Sequence, residues 1–127
     1  MAGEKKFAPA YDINLEASAN YSIEELWRFW LASVEDFNAV EVANDQTAYD
    51  FSTGIGTEER LDIISRAQRK LVDALLETPS ASFQDSVTKL KLWRSIIVPE
   101  GADVEDCSPT DQLGVLAVDE LIRLMEK

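Results

Sequence analysis

The chain has 127 residues, enough for one domain with one core, and its 46% hydrophobic residues with only five glycines and four prolines exclude general disorder and fibrous classes. Twenty-four acidic against twelve basic residues leave a formal charge of -12, which opposes direct nucleic-acid binding and attraction to anionic membrane surfaces. One cysteine and no histidine exclude a disulfide framework, a cysteine-based zinc site and a Ser-His-Asp triad.

Residues 1–20 mix charges, alanines and Pro9, with Tyr11, Ile13 and Leu15 alternating as in a short extended segment. They read as an N-terminal arm able to dock on the body or on a neighbouring subunit. No apolar h-region follows the N-terminus, and no apolar run approaches the roughly 18 residues needed to cross a bilayer. A cytoplasmic protein is expected.

Ser22 opens the first helix, because Glu25 takes the third helical position of a capping box while Tyr21 and Leu26 occupy the hydrophobic-staple positions. At 100° per residue, Ile23, Leu26, Trp27, Trp30, Val34, Phe37, Ala48 and Phe51 fall on one arc, the face expected against the core, and Glu41 lies inside it. The pattern predicts a helix to about residue 51, with a break near Asn44 and Asp45 as the alternative. The sequence Ser52-Thr53-Gly54-Ile55-Gly56 then turns the chain.

Thr57 is the expected cap of a second helix, 58–77, with Leu61, Ile64, Leu71 and Leu75 on one face. Thr78-Pro79 ends it, and Ser80 or Ser82 caps a third helix reaching about Val98, with Phe83, Val87, Leu90, Trp93 and Ile97 on its main face. An acidic loop through Asp103, Glu105, Asp106 and Cys107 follows. Ser108-Pro109-Thr110-Asp111 caps a fourth helix ending near Met125. On it Leu113, Leu116, Ala117, Leu121 and Leu124 form one apolar face and Val115, Val118, Ile122 and Met125 another, so cover on both sides is expected. The fold class is all-α: a single-domain bundle of four helices over 21–127, with a long first helix and a short extended arm over 1–20.

Several stretches invite chemistry without completing it. Gly54-Ile55-Gly56-Thr57 lacks the preceding strand and the lysine of a phosphate-cradling loop, and Glu58 with Glu59 occupy the helix start an anion would need. Counted from Asp103, the sixth and twelfth positions of an EF-hand loop hold Ser108 and Gly114 rather than glycine and glutamate. Cys107 has acidic neighbours and no histidine base.

Carboxylates on apolar faces are a sharper signal, since a buried carboxylate must be paired, protonated or bound to metal. Glu41 and Glu120 stand where leucine would pack better, and Arg94 is a candidate partner for one of them. Glu59-Arg60-Leu61-Asp62 is similar in spacing to the E-x-x-D half of the carboxylate pattern of helical nucleotide pyrophosphohydrolases. That resemblance implies a Mg²⁺- or Mn²⁺-dependent hydrolase using Glu59 and Asp62, and Glu41 and Glu120, from their place on apolar faces, complete the metal candidates. The E-x-x-E half is unmatched, because Glu24 and Glu25 are followed three places on by Trp27 and Arg28.

Leu26, Trp27, Phe29, Trp30 and Leu31 cover about 200° of the first helix, whereas a single core needs a stripe of about 100°. Leu31, Val42 and Tyr49 align on a second stripe, as Val118 and Ile122 do on the fourth helix. Excess apolar surface of this kind marks association. The expected function is therefore protein-protein association, as a homodimer or with a protein partner and without a cofactor, with Trp27, Phe29, Leu31, Val42, Tyr49, Val118 and Ile122 as interface candidates. A divalent-metal hydrolase is the first alternative, and an acidic decoy or regulator of a basic DNA-binding protein the second.

Overall fold

The computed structural model describes residues 7–44, 49–50, 55–99 and 101–126, with side chains described over 7–41, 56–99 and 101–126. The chain is all-α, with four long helices among the described residues: α1 (Ile23–Asn44), α2 (Thr57–Glu77), α3 (Phe83–Ile97) and α4 (Pro109–Met125). Two-residue strands β1 (Tyr49–Asp50) and β2 (Ile55–Gly56) pair antiparallel between α1 and α2, and 3-10 turns span Leu15–Asn20 and Val104–Asp106. The chain divides into two compact units, Met1–Pro79 and Ser80–Lys127.

In the first unit the expected capping box closes α1: the Glu25 backbone N–H donates to Ser22 Oγ, and the Ser22 N–H donates to Glu25 Oε1, both at 3.1 Å. Tyr21 meets Phe29 edge-on, with centroids 5.4 Å apart and planes at 79°. The buried line of α1 is Ile23, Leu26, Trp30, Ser33 and Val40. This line lies to one side of the expected arc, leaving Trp27, Val34 and Phe37 half-buried and Glu41 exposed.

The helix stops at Asn44, at the alternative break, and Tyr49–Asp50 is extended. Asn and Asp are poor helix formers because their side chains compete for nearby backbone groups, which favours ending the helix at Asn44-Asp45. Ala48 and Phe51, placed on the core arc by periodicity, lie outside the described residues.

Against α1, α2 sets Ile64, Ala67, Leu71, Ala74 and Leu75, all buried. Thr57, expected as the cap, is the first helical residue and is buried; extended Gly56 holds the cap position without a side-chain bond. Fully buried Ser33 donates to the Trp30 carbonyl at 2.6 Å and accepts from Gln68 Nε2 at 3.0 Å, so the one buried hydroxyl of α1 is satisfied locally and across the pair. At the far end Thr78 donates its hydroxyl to the Ala74 carbonyl at 2.7 Å, just before Pro79.

The arm belongs to this unit. Tyr11 and Ile13 are buried, each 3% exposed, and Asp12 between them pairs with Lys70 of α2 at 2.8 Å. The Arg60 guanidinium lies 5.2 Å from the centroid of the Phe7 ring. The alternation ends at Leu15, which is exposed, because there the 3-10 turn begins, with Asn14 Oδ1 accepting from the Glu16 N–H at 3.0 Å.

In the second unit Ser82 is the cap of α3, accepting from the Asp85 N–H at 3.1 Å, while Asp85 accepts from the Ala81 N–H at 2.9 Å. Ser108 caps α4 in the same way through the Asp111 N–H at 3.2 Å, with Pro109 in the first turn. The two helices run antiparallel, since partners fall along α4 as residue numbers rise along α3. Lys91 approaches Glu126 at 3.9 Å, Arg94 binds Asp119 through Nε and Nη2 at 2.5 and 3.2 Å, and Cys107 Sγ lies 3.9 Å from the Ile97 carbonyl. Gly114 lets the helices close, because a Cβ there would stand 2.9 Å from Cη2 of Trp93. Val87, Thr88 and Leu92 of α3 and Val115 and Val118 of α4 are buried; Phe83, expected on the main face of α3, is exposed. Between the helices, Gly101 takes φ 87°, and the Ala102 N–H donates to the Pro99 carbonyl at 3.0 Å, closing a turn whose third residue needs left-handed backbone.

Candidate interaction surface

At 100° per residue, Leu113, Leu116, Ala117, Glu120 and Leu124 fall within about 100° of the circumference of α4. All five are exposed, the three leucines by 68%, 56% and 61%. The face turned inward is the other one. Val115 and Val118 are buried and Ile122 half-buried, on the side where Asp119 meets Arg94 and Gly114 meets Trp93. Of the two apolar faces expected to be covered, only the valine face is covered among the described residues.

Val118 and Ile122 were the α4 residues expected to meet a partner, and the structure instead gives that exposure to Leu113, Leu116 and Leu124. The signal that separates the faces is Glu120. A carboxylate in the middle of the leucine stripe reads as misplaced if that stripe is core, and as ordinary if it meets water.

Of the α1 candidates, Trp27 and Phe29 are half-buried, Phe29 lying against Tyr21, and Leu31 is 47% exposed. The side chains of Val42 and Tyr49 lie outside the described residues. The second stripe through Leu31, Val42 and Tyr49 is not a continuous helical stripe, since α1 ends at Asn44 before Tyr49 is reached.

The metal candidates Glu41, Glu59, Asp62 and Glu120 are all exposed, so none is a desolvated carboxylate in need of a cation. Asp62 pairs with Arg66 one turn on, at 2.8 Å. Arg94, offered as partner to Glu41 or Glu120, is bound to Asp119. Among the described residues, no group of three or more His, Cys, Asp or Glu side chains could hold a metal ion. A shallow cavity of about 170 Å³ on the first unit is lined by Asp12, Ile63, Arg66 and Lys70, but both cations already meet acids of their own chain.

Among the described residues, the one strongly perturbed group is Tyr11. Burial raises its phenol well above the ordinary tyrosine range, reinforced by its hydrogen bond to Asp36 Oδ2 at 2.8 Å and by the negative charge of that carboxylate. The protonated phenol and its bond to Asp36 tie the arm to α1.

Comparison with protein-family models, with curated proteins and with solved structures gives no significant match. Among the described residues, no helix is long and apolar enough to cross a membrane.

Proposed function

We propose that this protein acts in the cytoplasm by protein association, with the leucine face of α4 as the contact surface. The observation that carries the reading is the exposure of Leu113, Leu116 and Leu124 on one arc of a helix whose opposite arc is already packed. Soluble proteins expose single apolar residues routinely, whereas an aligned set of large ones marks a surface that is covered in use. Homodimerisation, expected from the sequence, is one way of covering it, and a different protein is the other. No placement of Glu41, Glu59, Asp62 or Glu120 favours the hydrolase alternative.

The test is a photo-crosslinking residue at position 116, with exposed Glu24 on the polar side of α1 as the control position. In growing cells, position 116 should give a crosslinked species heavier than the 14.2 kDa chain, while position 24 gives none. Identical patterns at the two positions would overturn the reading.

A further inference from the structure

We propose that the α4 face takes a basic amphipathic helix of another protein, rather than a second copy of this chain, an inference that rests on the association reading above. Charge decides between the two occupants. Glu120 sits in the centre of the leucine stripe, exposed and without an ion pair among the described residues. The loop leading into α4 adds Asp103, Glu105 and Asp106, also exposed and likewise unpaired among the described residues. The acids of α4 that are paired, Asp119 and Glu126, take Arg94 and Lys91 of α3 for the purpose. Arg123 is the one cation of α4, against four acids on the helix and its cap: Asp111, Asp119, Glu120 and Glu126.

A second copy fits this surface badly. Laid antiparallel, with Leu113 opposite Leu124 of the other copy, it sets each Glu120 opposite Ala117 and brings the two Glu120 carboxylates within about one helical turn of each other. Two like charges would then be desolvated together, with Arg123 at the edge of the stripe as the one cation α4 supplies, and two chains of charge -12 would repel during approach. A helix with apolar anchors at positions i, i+3 and i+7 and lysine or arginine beside them reverses each term. It covers the leucines, gives Glu120 a partner, and is drawn in by the acidic loop at the start of α4.

The probe is a fluorescent synthetic peptide of about 18 residues, five helical turns, with leucine at helical spacing and lysine elsewhere, compared with the same peptide carrying glutamate in place of lysine. Binding to the full chain is read by anisotropy, and the mass of the free chain by light scattering. The lysine peptide should bind, the glutamate peptide should not, and binding should weaken as salt rises. Leu116→Asp should weaken it about tenfold or more, because it removes a buried leucine from the contact. Glu120→Lys should weaken it further than salt alone, while Leu31→Asp, on the other unit, should leave it unchanged.

Equal binding of the two peptides, or binding indifferent to Leu116→Asp, would overturn the proposal. A wild-type mass of two chains that Leu116→Asp returns to one would also overturn it, in favour of a second copy, and would leave the association reading standing. Absence of any binding, together with protection of Leu113 and Leu116 from hydroxyl-radical labelling in a monomeric chain, would overturn both, because the chain would then be covering the stripe itself.

Discussion

Replacing Tyr11 by phenylalanine removes one oxygen from the docked arm and tests how that arm is held. Tyr11 is 3% exposed, and its phenol donates at 2.8 Å to the half-buried Asp36. Hydrogen bonds to charged groups contribute about 1.5–3 kcal/mol. Water can reach part of Asp36 and replace some of this, so the expected loss at neutral pH is about 1–2 kcal/mol.

The dependence on pH has a definite sign. In the unfolded chain the phenol titrates near its ordinary value of about 10, and in the folded chain burial and Asp36 raise it further. The contribution of Tyr11 is therefore complete below about pH 10 and is lost as pH climbs toward the folded value, by about 1.4 kcal/mol per pH unit. Phenylalanine does not titrate. The advantage of the wild type over Tyr11→Phe should shrink above pH 10 and vanish near pH 11, as measured by urea unfolding of both chains followed by tryptophan fluorescence across that range. Equal stability at pH 7, or a gap that stays constant through pH 11, would refute the account of a buried, Asp36-bound phenol.

The other predictions concern backbone and packing. Gly101→Ala should destabilise by about 1–2 kcal/mol although nothing lies within 4 Å of the added Cβ, because its φ of 87° strains any L side chain; thermal unfolding by circular dichroism measures it, and an unchanged midpoint would refute it. Gly114→Leu should cost about 1–3 kcal/mol by overpacking against Trp93, and it should alter the tryptophan near-ultraviolet spectrum. Ser22→Ala should cost about 1 kcal/mol by removing half of the α1 capping box, and Ser22→Asp, which still accepts from the Glu25 N–H, should restore most of it. A Ser22→Asp chain no more stable than Ser22→Ala would remove the cap as the explanation.

The features legible in the sequence are those decided within one helical turn. Ser22 with Glu25, and Ser108 with Pro109 and Asp111, each define a helix start through bonds that span three residues, so the sequence alone places them, whereas for α3 it offers Ser80 or Ser82 and the structure takes Ser82. Pro79 and Pro99 end helices for a reason equally local. The features that escape depend on which neighbour a helix meets. On α4 the leucine and valine stripes have the same spacing, and periodicity cannot rank them. What ranks them is the pairing of Asp119 with Arg94 and the approach of Trp93 to Gly114, both made across the helix pair. On α1 the large aromatics drew the expected arc toward Trp27 and Phe37, whereas the buried line runs through Ser33, a residue no hydropathy pattern selects.

The Ser33–Gln68 bond has a consequence for how α1 and α2 find their alignment. Along α1 the buried residues recur at 23, 26, 30, 33 and 40, and along α2 at 64, 67, 71, 74 and 75, with steps of three, four or seven along each helix apart from the adjacent pair 74 and 75. Two such ladders can slip past each other by seven residues and still oppose apolar to apolar. Slippage would, however, part the half-buried Gln68 amide from the Ser33 hydroxyl, which would keep its own bond to the Trp30 carbonyl, a loss of about 1 kcal/mol. One polar pair thus favours the observed register over others that hydrophobicity alone would accept, a weaker form of what a lone buried asparagine does in a coiled coil.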